Sequence, residues 1–156
     1  ALSYDDHVVI EQWIEGVELA VSVIGTGWDA HALPPVEIVP KRGLYDTAAR
    51  MDASLVDYYA PVRNESLSSN EADAQAIRAE IERAVLEVYR AYGLRDLGRI
   101  DLIWDGAQAR VMETNVSPGM TETSLFPAAC KAGGLSLSAV LNELVNNAKE
   151  RGAVFC

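Results

Sequence analysis

Two stretches near the N-terminus, Val8 to Ile14 and Val17 to Ile24, are rich in β-branched and aromatic residues. Glu15-Gly16 separates them, which predicts a β-hairpin. Val36 to Val39, after Pro34-Pro35, predicts a short third strand. Lys41 to Asn64 lacks clean periodicity and holds Gly43, Pro61 and scattered charge. It reads as a long loop, and a long loop inside a compact domain is often functional. Ala74, Ile77, Ile81, Ala84, Val85, Val88 and Tyr92 then recur at helical spacing. Ser68 and Glu71 stand at capping-box separation, and Gly93 marks a stop. Glu80, Glu82, Arg83 and Glu87 form the opposite, solvated face. Arg99 to Trp104 and Arg110 to Asn115 predict two more strands around Asp105-Gly106. Two helices come next, Ser124 to Ala132 and Ser136 to about Arg151. The second carries the apolar stripe Leu137, Val140, Leu141, Leu144, Val145 and Ala148. Strands and helices do not alternate one for one. The pattern predicts an α+β domain, a mostly antiparallel sheet with helices packed on one side.

At 156 residues, 49% apolar and 23% charged, the chain fits a single domain, 1–156, with a core of its own. No apolar run approaches the roughly 20 residues that span a bilayer. The first residues lack the basic and apolar regions of a signal peptide. The chain opens almost directly on a strand-like run, so it reads as a fragment of a longer enzyme. The formal charge of −10 argues against a non-specific nucleic-acid binder. It leaves ATP open, provided metal ions and local cations offset the phosphates. Cys130 and Cys156 make neither a metal-ligand spacing nor a disulfide framework, and the default location is cytoplasmic.

Asp101, Glu113 and Asn115 supply the oxygen ligands magnesium prefers, alongside phosphate oxygens and water. Side chains alternate along a strand, so Arg99 and Asp101 share a face, and Glu113 and Asn115 share a face. A two-residue Asp105-Gly106 turn would point Glu113 away from Asp101. A three-residue loop would set Arg99 opposite Glu113 and Asp101 opposite Val111. Convergence therefore requires an odd loop or a compensating bulge. Taken alone, Arg99, Asp101 and Glu113 read better as a structural ion cluster. The adjoining segment tips the balance toward a site. Asn115 leads into Val116-Ser117-Pro118-Gly119-Met120-Thr121, and Glu122-Thr123-Ser124-Leu125 then opens a helix. Free N–H groups at a helix start favour phosphate.

These residues resemble the D-alanine–D-alanine ligases of the ATP-grasp superfamily. That family's late motif reads Gly-Arg-x-Asp, then Glu-x-Asn-x-x-Pro-Gly-Met-Thr-x-x-Ser-Leu. This chain has Gly98-Arg99-Ile100-Asp101 and Glu113 to Leu125 in that pattern. The family's adenine-side hinge resembles Val9 to Glu18, and its mobile substrate loop resembles Gly43-Leu44-Tyr45-Asp46 onward to Pro61. The resemblance covers nearly the whole chain but only the C-terminal lobe of such an enzyme. The N-terminal and central lobes are missing.

The resemblance implies a carboxylate–amine ligase that joins two D-alanines through an acyl phosphate, for peptidoglycan precursors. It implies ATP and two magnesium ions, or manganese, with Asp101, Glu113 and Asn115 as metal ligands. Arg99 and the Gly119 N–H would stabilise the oxyanion, with Ser124 as the third catalytic group. Ser124 and Leu125 would hold the acceptor carboxylate. Glu11, Gln12, Trp13 and Ile14 would line the adenine pocket, Glu18 would meet the ribose, and Arg50 would meet phosphate. It also implies a homodimer at full length, no nucleic-acid or membrane partner, and an inactive isolated lobe. The chain departs from the pattern at Arg50-Met51, where the family has Lys-Tyr. Two alternatives stay open: an ATP-grasp ligase with a different acceptor, and a non-catalytic ATP-grasp binding module. His7 and His31 have no triad or metal spacing, and Cys130 reads as a small core residue.

Overall fold

The computed structural model describes residues 3, 5–45 and 47–152, without the side chains of Arg50, Met51 and Ala53. Strands β1 (Val17–Ile24), β2 (His31–Ala32), β3 (Val36–Pro40), β4 (Val56–Tyr59), β5 (Leu97–Trp104) and β6 (Ala109–Asn115) form one sheet. Its order is β4-β3-β1-β5-β6, with β2 also pairing β1, and every pairing is antiparallel. The helices are α1 (Thr47–Met51), α2 (Asn64–Leu67), α3 (Glu71–Ala91), α4 (Leu125–Ala132) and α5 (Leu137–Arg151). None of those described is long and apolar enough to cross a membrane.

The α+β class and the antiparallel sheet are as the sequence predicts. The one-sided packing is not: helices cover both faces. Leu19, Val21 and Val23 of β1 join Ile100, Leu102 and Trp104 of β5 against Ile81, Val85 and Tyr89 of α3. Ala20 and Ile24 point the other way, against Phe126, Ala129 and Cys130 of α4 and Val140 of α5. The physical reason is legible in β1 itself. From Leu19 to Ile24 every residue is buried, as expected of a strand covered on both faces rather than one. In β5 burial alternates, so Arg99 and Asp101 fall on the α4 side while Ile100 and Leu102 enter the α3 core.

The predicted N-terminal hairpin does not form. Residues 7–15 belong to no strand, and Val9 and Ile10 are 82% and 92% exposed. Both edges of β1 are already taken, by β5 on one side and by β2 and β3 on the other. A second departure concerns Lys41 to Asn64, which is not one loop. It holds α1, a 3-10 turn at Ala53–Leu55 and the edge strand β4. A four-residue strand is too short to show a clear period, which is why β4 escapes a pattern search. The α3 cap also differs. Asn70 Oδ1 accepts from the N–H groups of Ala72 and Asp73, while Ser68 Oγ accepts from Asn70 N–H.

Beside the β3–β4 pair lies a polar anchor. Glu37, 3% exposed, accepts from Arg63 N–H, Nε and Nη2 and from Ser66 Oγ, at 2.7–3.2 Å. Burial pushes its pKa up, but the Arg63 and Ser66 hydrogen bonds outweigh that and hold it below the usual carboxylate range.

Candidate active site

The β5–β6 pair builds the centre of the site. Trp104 pairs with Ala109, Ile103 with Arg110 and Leu102 with Val111. The connection is thus Asp105-Gly106-Ala107-Gln108, longer than either loop that the sequence suggests. Asp105 Oδ1 ties it by accepting from the N–H groups of Ala107 and Gln108, and Oδ2 accepts from Arg110 Nε at 2.7 Å. These bonds, the Arg110 one foremost, hold the Asp105 carboxyl down to about 2.

In unbroken register Glu113 would then oppose Ile100 and point into the α3 core. The register instead shifts between Asp101 and Leu102. Met112 becomes the extra residue of a bulge, Asp101 pairs with Glu113, and Arg99 pairs with Asn115. All four polar groups reach one face of the sheet. The bulge required for convergence is present, although the predicted partners differ by one pair.

Arg99 and Asp101, two residues apart on one face, form a two-pronged ion pair. Nε and Nη2 donate to Oδ1 and Oδ2, each at 2.7 Å. Their side chains are only 12% and 17% exposed. Burial pulls the Arg99 pKa down, but the Asp101 hydrogen bonds and the charges of Asp101 and Glu113 more than reverse it, so the guanidinium stays charged. Asn115 Oδ1 accepts from Ser117 N–H at 2.9 Å and starts the turn toward Pro118.

A cleft of about 650 Å³ opens over this face. Arg99, Asp101 and Glu113 line it, as do Gly119, Ser124 and Leu125, and Glu11, Trp13 and Glu18 border it too. Glu18 reaches it because β1 and β5 place Glu18 beside Ile103 and Ala20 beside Asp101. Gln12 and Ile14 lie apart, lining with Trp13 a smaller hollow of about 330 Å³ by the Asp105 turn. Asn115 does not line the main cleft. The Arg50 side chain lies outside the described residues, as does Cys156.

The turn before α4 is held by hydroxyls. Ser124 Oγ accepts from Thr121 N–H at 3.1 Å and lies 2.7 Å from Thr121 Oγ1, while Ser124 N–H donates to the Thr121 carbonyl. Ser124 is the N-cap residue of α4 yet makes no cap bond to its first turn. Its hydroxyl is spent backward, leaving the helix start open to an anion. At Gly119 a Cβ would lie 2.7 Å from Ser124 Oγ, so a larger residue there would push that hydroxyl off its Thr121 partners.

With Met51 where the family has a tyrosine, phenol groups at the cleft have to come from other positions. Tyr45 and Tyr58 both line the cleft, with hydroxyls 2.8 Å apart and rings at right angles. Tyr59 instead lies under the Arg63 guanidinium at 3.9 Å, facing the Glu37 anchor. Tyr58 sits on the strand that escapes a pattern search, so this pairing has no sequence signal.

The donor chemistry fits magnesium: two carboxylates opposed across a strand pair, with an amide oxygen one pair along. Among the described residues no group of three or more His, Cys, Asp or Glu could hold an ion unaided. Asp101, Glu113 and Asn115 would therefore need oxygens from phosphate and water. The cleft also brings together Glu11, Glu18, Asp101 and Glu113 against Arg99, its one cation among the described lining residues. A polyphosphate entering it requires added positive charge.

An antiparallel sheet with helices on both faces thus carries a partly buried acidic cleft beside the open start of α4. The chain belongs to the D-ala D-ala ligase C-terminus family, whose model matches residues 1–146. It is 39% identical over 150 residues to the D-alanine–D-alanine ligase of Bordetella petrii, covering 95% of this chain and 43% of that protein. It is 34% identical over 151 residues to that of Desulforamulus reducens, covering 97% and 45%. The chain spans less than half the length of these relatives. Among solved structures, the D-alanine–D-alanine ligase of Bacillus anthracis matches with a TM-score of 0.66 at 25% identity, over 93% of this chain and 44% of that one. The Coxiella burnetii ligase matches in fold with a TM-score of 0.74 at 24% identity, over 96% and 36%. The VanG D-Ala:D-Ser ligase of Enterococcus faecalis matches with a TM-score of 0.67 at 25% identity, over 86% and 37%.

Proposed function

We propose that the chain is the C-terminal lobe, 1–156, of an ATP-dependent D-alanine–D-alanine ligase that makes peptidoglycan precursors. The β6 bulge carries this reading. It turns Glu113 and Asn115 onto the Arg99–Asp101 face immediately before the Gly119–Leu125 turn. An ion cluster serving stability alone has no need of an open helix start beside it.

In this reading Asp101, Glu113 and Asn115 hold two magnesium ions. When bound, those ions neutralise the β- and γ-phosphates during transfer. Glu11, Gln12, Trp13 and Ile14 line the adenine side, Glu18 meets the ribose and Arg50 a phosphate. The γ-phosphoryl passes to the carboxylate of one D-alanine and ADP leaves; the free amine of a second attacks the acyl carbon, the C–O bond to phosphate breaks, and the nitrogen gives up a proton as phosphate departs. Arg99 and the Gly119 N–H donate to the oxygen that gains charge in that attack. Ser124 and the Leu125 N–H hold the acceptor carboxylate. The longer protein, with its N-terminal and central lobes, acts in the cytoplasm as a homodimer, and this lobe alone does not ligate.

A second reading, a different acceptor, draws on Arg50-Met51, which replaces the family's Lys-Tyr and removes a phenol. Mass spectrometry of products, with D-alanine, D-serine and D-lactate offered to the longer protein in competition, separates the two. Mainly D-alanyl-D-alanine supports the leading reading. A mixed dipeptide or depsipeptide as main product replaces it with the second.

A further inference from the structure

We infer that the Arg99–Asp101 ion pair is a placeholder for a divalent cation: binding of the ion at Asp101 displaces Arg99, which then turns to an anionic ligand in the cleft. The inference rests on the proposed ligase reading for the presence of an ion at Asp101, and it goes further in assigning Arg99 two successive partners.

Three observations carry it. First, the pair uses both carboxylate oxygens. Nε meets Oδ1 and Nη2 meets Oδ2, each at 2.7 Å, so the guanidinium lies edge-on against the carboxylate and covers its open end. An incoming ion has to take at least one of these oxygens. Second, the charges match a substitution. Glu113 stands opposite Asp101, and Arg99 is the cation of this cleft among the described lining residues. It stabilises two carboxylates that an ion would stabilise better. Third, both side chains are more than four-fifths buried, so a guanidinium and a divalent ion crowded onto the same carboxylate would repel with little screening.

Gly119, Thr121 and Ser124 line the cleft that Arg99 shares. A guanidinium released from Asp101 stays in the cleft that this segment lines, where the start of α4 has no side-chain cap bond from Ser124. Ion binding and anion binding then favour each other, and by linkage the coupling runs equally in both directions.

The opposite arrangement makes the opposite prediction. If Arg99 orients Asp101 for the ion, as outer groups orient many metal ligands, its loss weakens binding. The sign of one measurement decides. Manganese(II) is titrated into the longer protein with ADP held at a fixed concentration and followed by electron paramagnetic resonance, for the wild type and for Arg99→Gln, Arg99→Lys and Asp101→Asn.

The expected result is roughly tenfold tighter manganese binding by Arg99→Gln, a smaller gain by Arg99→Lys, which keeps the charge but loses the two-pronged fit, and loss of binding by Asp101→Asn. Unchanged or weaker binding by Arg99→Gln, with loss in Asp101→Asn, overturns the placeholder and leaves the metal site standing. Binding that survives Asp101→Asn overturns both. Should Arg99→Gln not fold, the Arg99 Nε–H resonance of the wild-type chain gives the answer during a magnesium titration. A shift with faster solvent exchange supports release, and an unmoved, protected resonance at saturating ion overturns it.

Discussion

Glu113 faces Asp101 across the β5–β6 pair because the register slips by one residue there, leaving Met112 as the extra residue of a bulge. Bulges recur beside active sites because they re-aim a side chain without ending the strand. Here the slip moves a carboxylate from the α3 core side to the cleft.

The facing carboxylates give the first prediction. Asp101→Asn and Glu113→Gln, made in the longer protein, lower magnesium-dependent turnover by roughly a hundredfold or more. Both keep the shape of the side chain; Glu113 is exposed, so Glu113→Gln changes thermal stability little, whereas Asp101→Asn also lowers it by breaking the buried Arg99 ion pair. Steady-state kinetics beside thermal melts of the same variants checks it. Intact turnover in both variants would contradict the metal assignment.

Gly119 gives the second. A methyl at this position meets Ser124 Oγ, which already contacts both the backbone N–H and the hydroxyl of Thr121. Gly119→Ala displaces that hydroxyl and distorts the turn, and the expected result is a loss of about tenfold or more in kcat/KM for the acceptor. The KM for ATP should move much less, since the hinge residues lie elsewhere. Equal effects on both substrates would contradict the placement.

The Tyr45–Tyr58 pair gives the third. Tyr58→Phe keeps the edge-to-face packing but removes the hydroxyl 2.8 Å from that of Tyr45. A net loss of about 1 kcal/mol at that contact is expected. It should appear as a melting temperature lower by about 2–4 °C together with a raised substrate KM, because Tyr45 joins the 41–45 segment to the cleft. An unaltered KM would show that the phenol pair does not shape the site.

Glu37 supplies a stability prediction with a pH sign. Its folded pKa lies below the ordinary 4.5, so its contribution is complete above that value and is lost as pH falls through the lower folded pKa. Glu37→Gln leaves Arg63 without its carboxylate partner. It should lower stability near neutral pH, by less than breaking a fully buried pair would, because the Arg63 side chain is about a third exposed. The deficit relative to wild type should shrink in acid, as pH falls below the ordinary 4.5 and through the lower folded value. Denaturant unfolding of both proteins from mildly acidic to neutral pH and down into that acid range checks it, and a pH-independent difference would contradict the ion-pair origin.

Much of the fold is legible in the residues. Helices with caps and stripes of three or more turns, such as α3 and α5, show their period, and β5 shows its alternation. Arg99, Asp101, Glu113, Gly119 and Ser124 are visible as a constellation because the Pro-Gly turn keeps them close in sequence. Features set by distant partners are not legible. Val8 to Ile14 has strand composition, but the sheet has no free edge beside β1 for it. β4 is four residues long and is defined by its partner β3. Glu37 looks like any strand carboxylate until Arg63 and Ser66 fold onto it from the far side of β4. The bulge itself is required by the chemistry, but its position depends on the four-residue loop that Asp105 ties.

The most direct measurement is phosphate release from ATP by the longer protein, with and without D-alanine and magnesium. Release that requires both, and that is absent from the isolated chain, is the predicted result. Release with magnesium that ignores D-alanine and responds to another amino acid, or ligation by this chain alone, would contradict it.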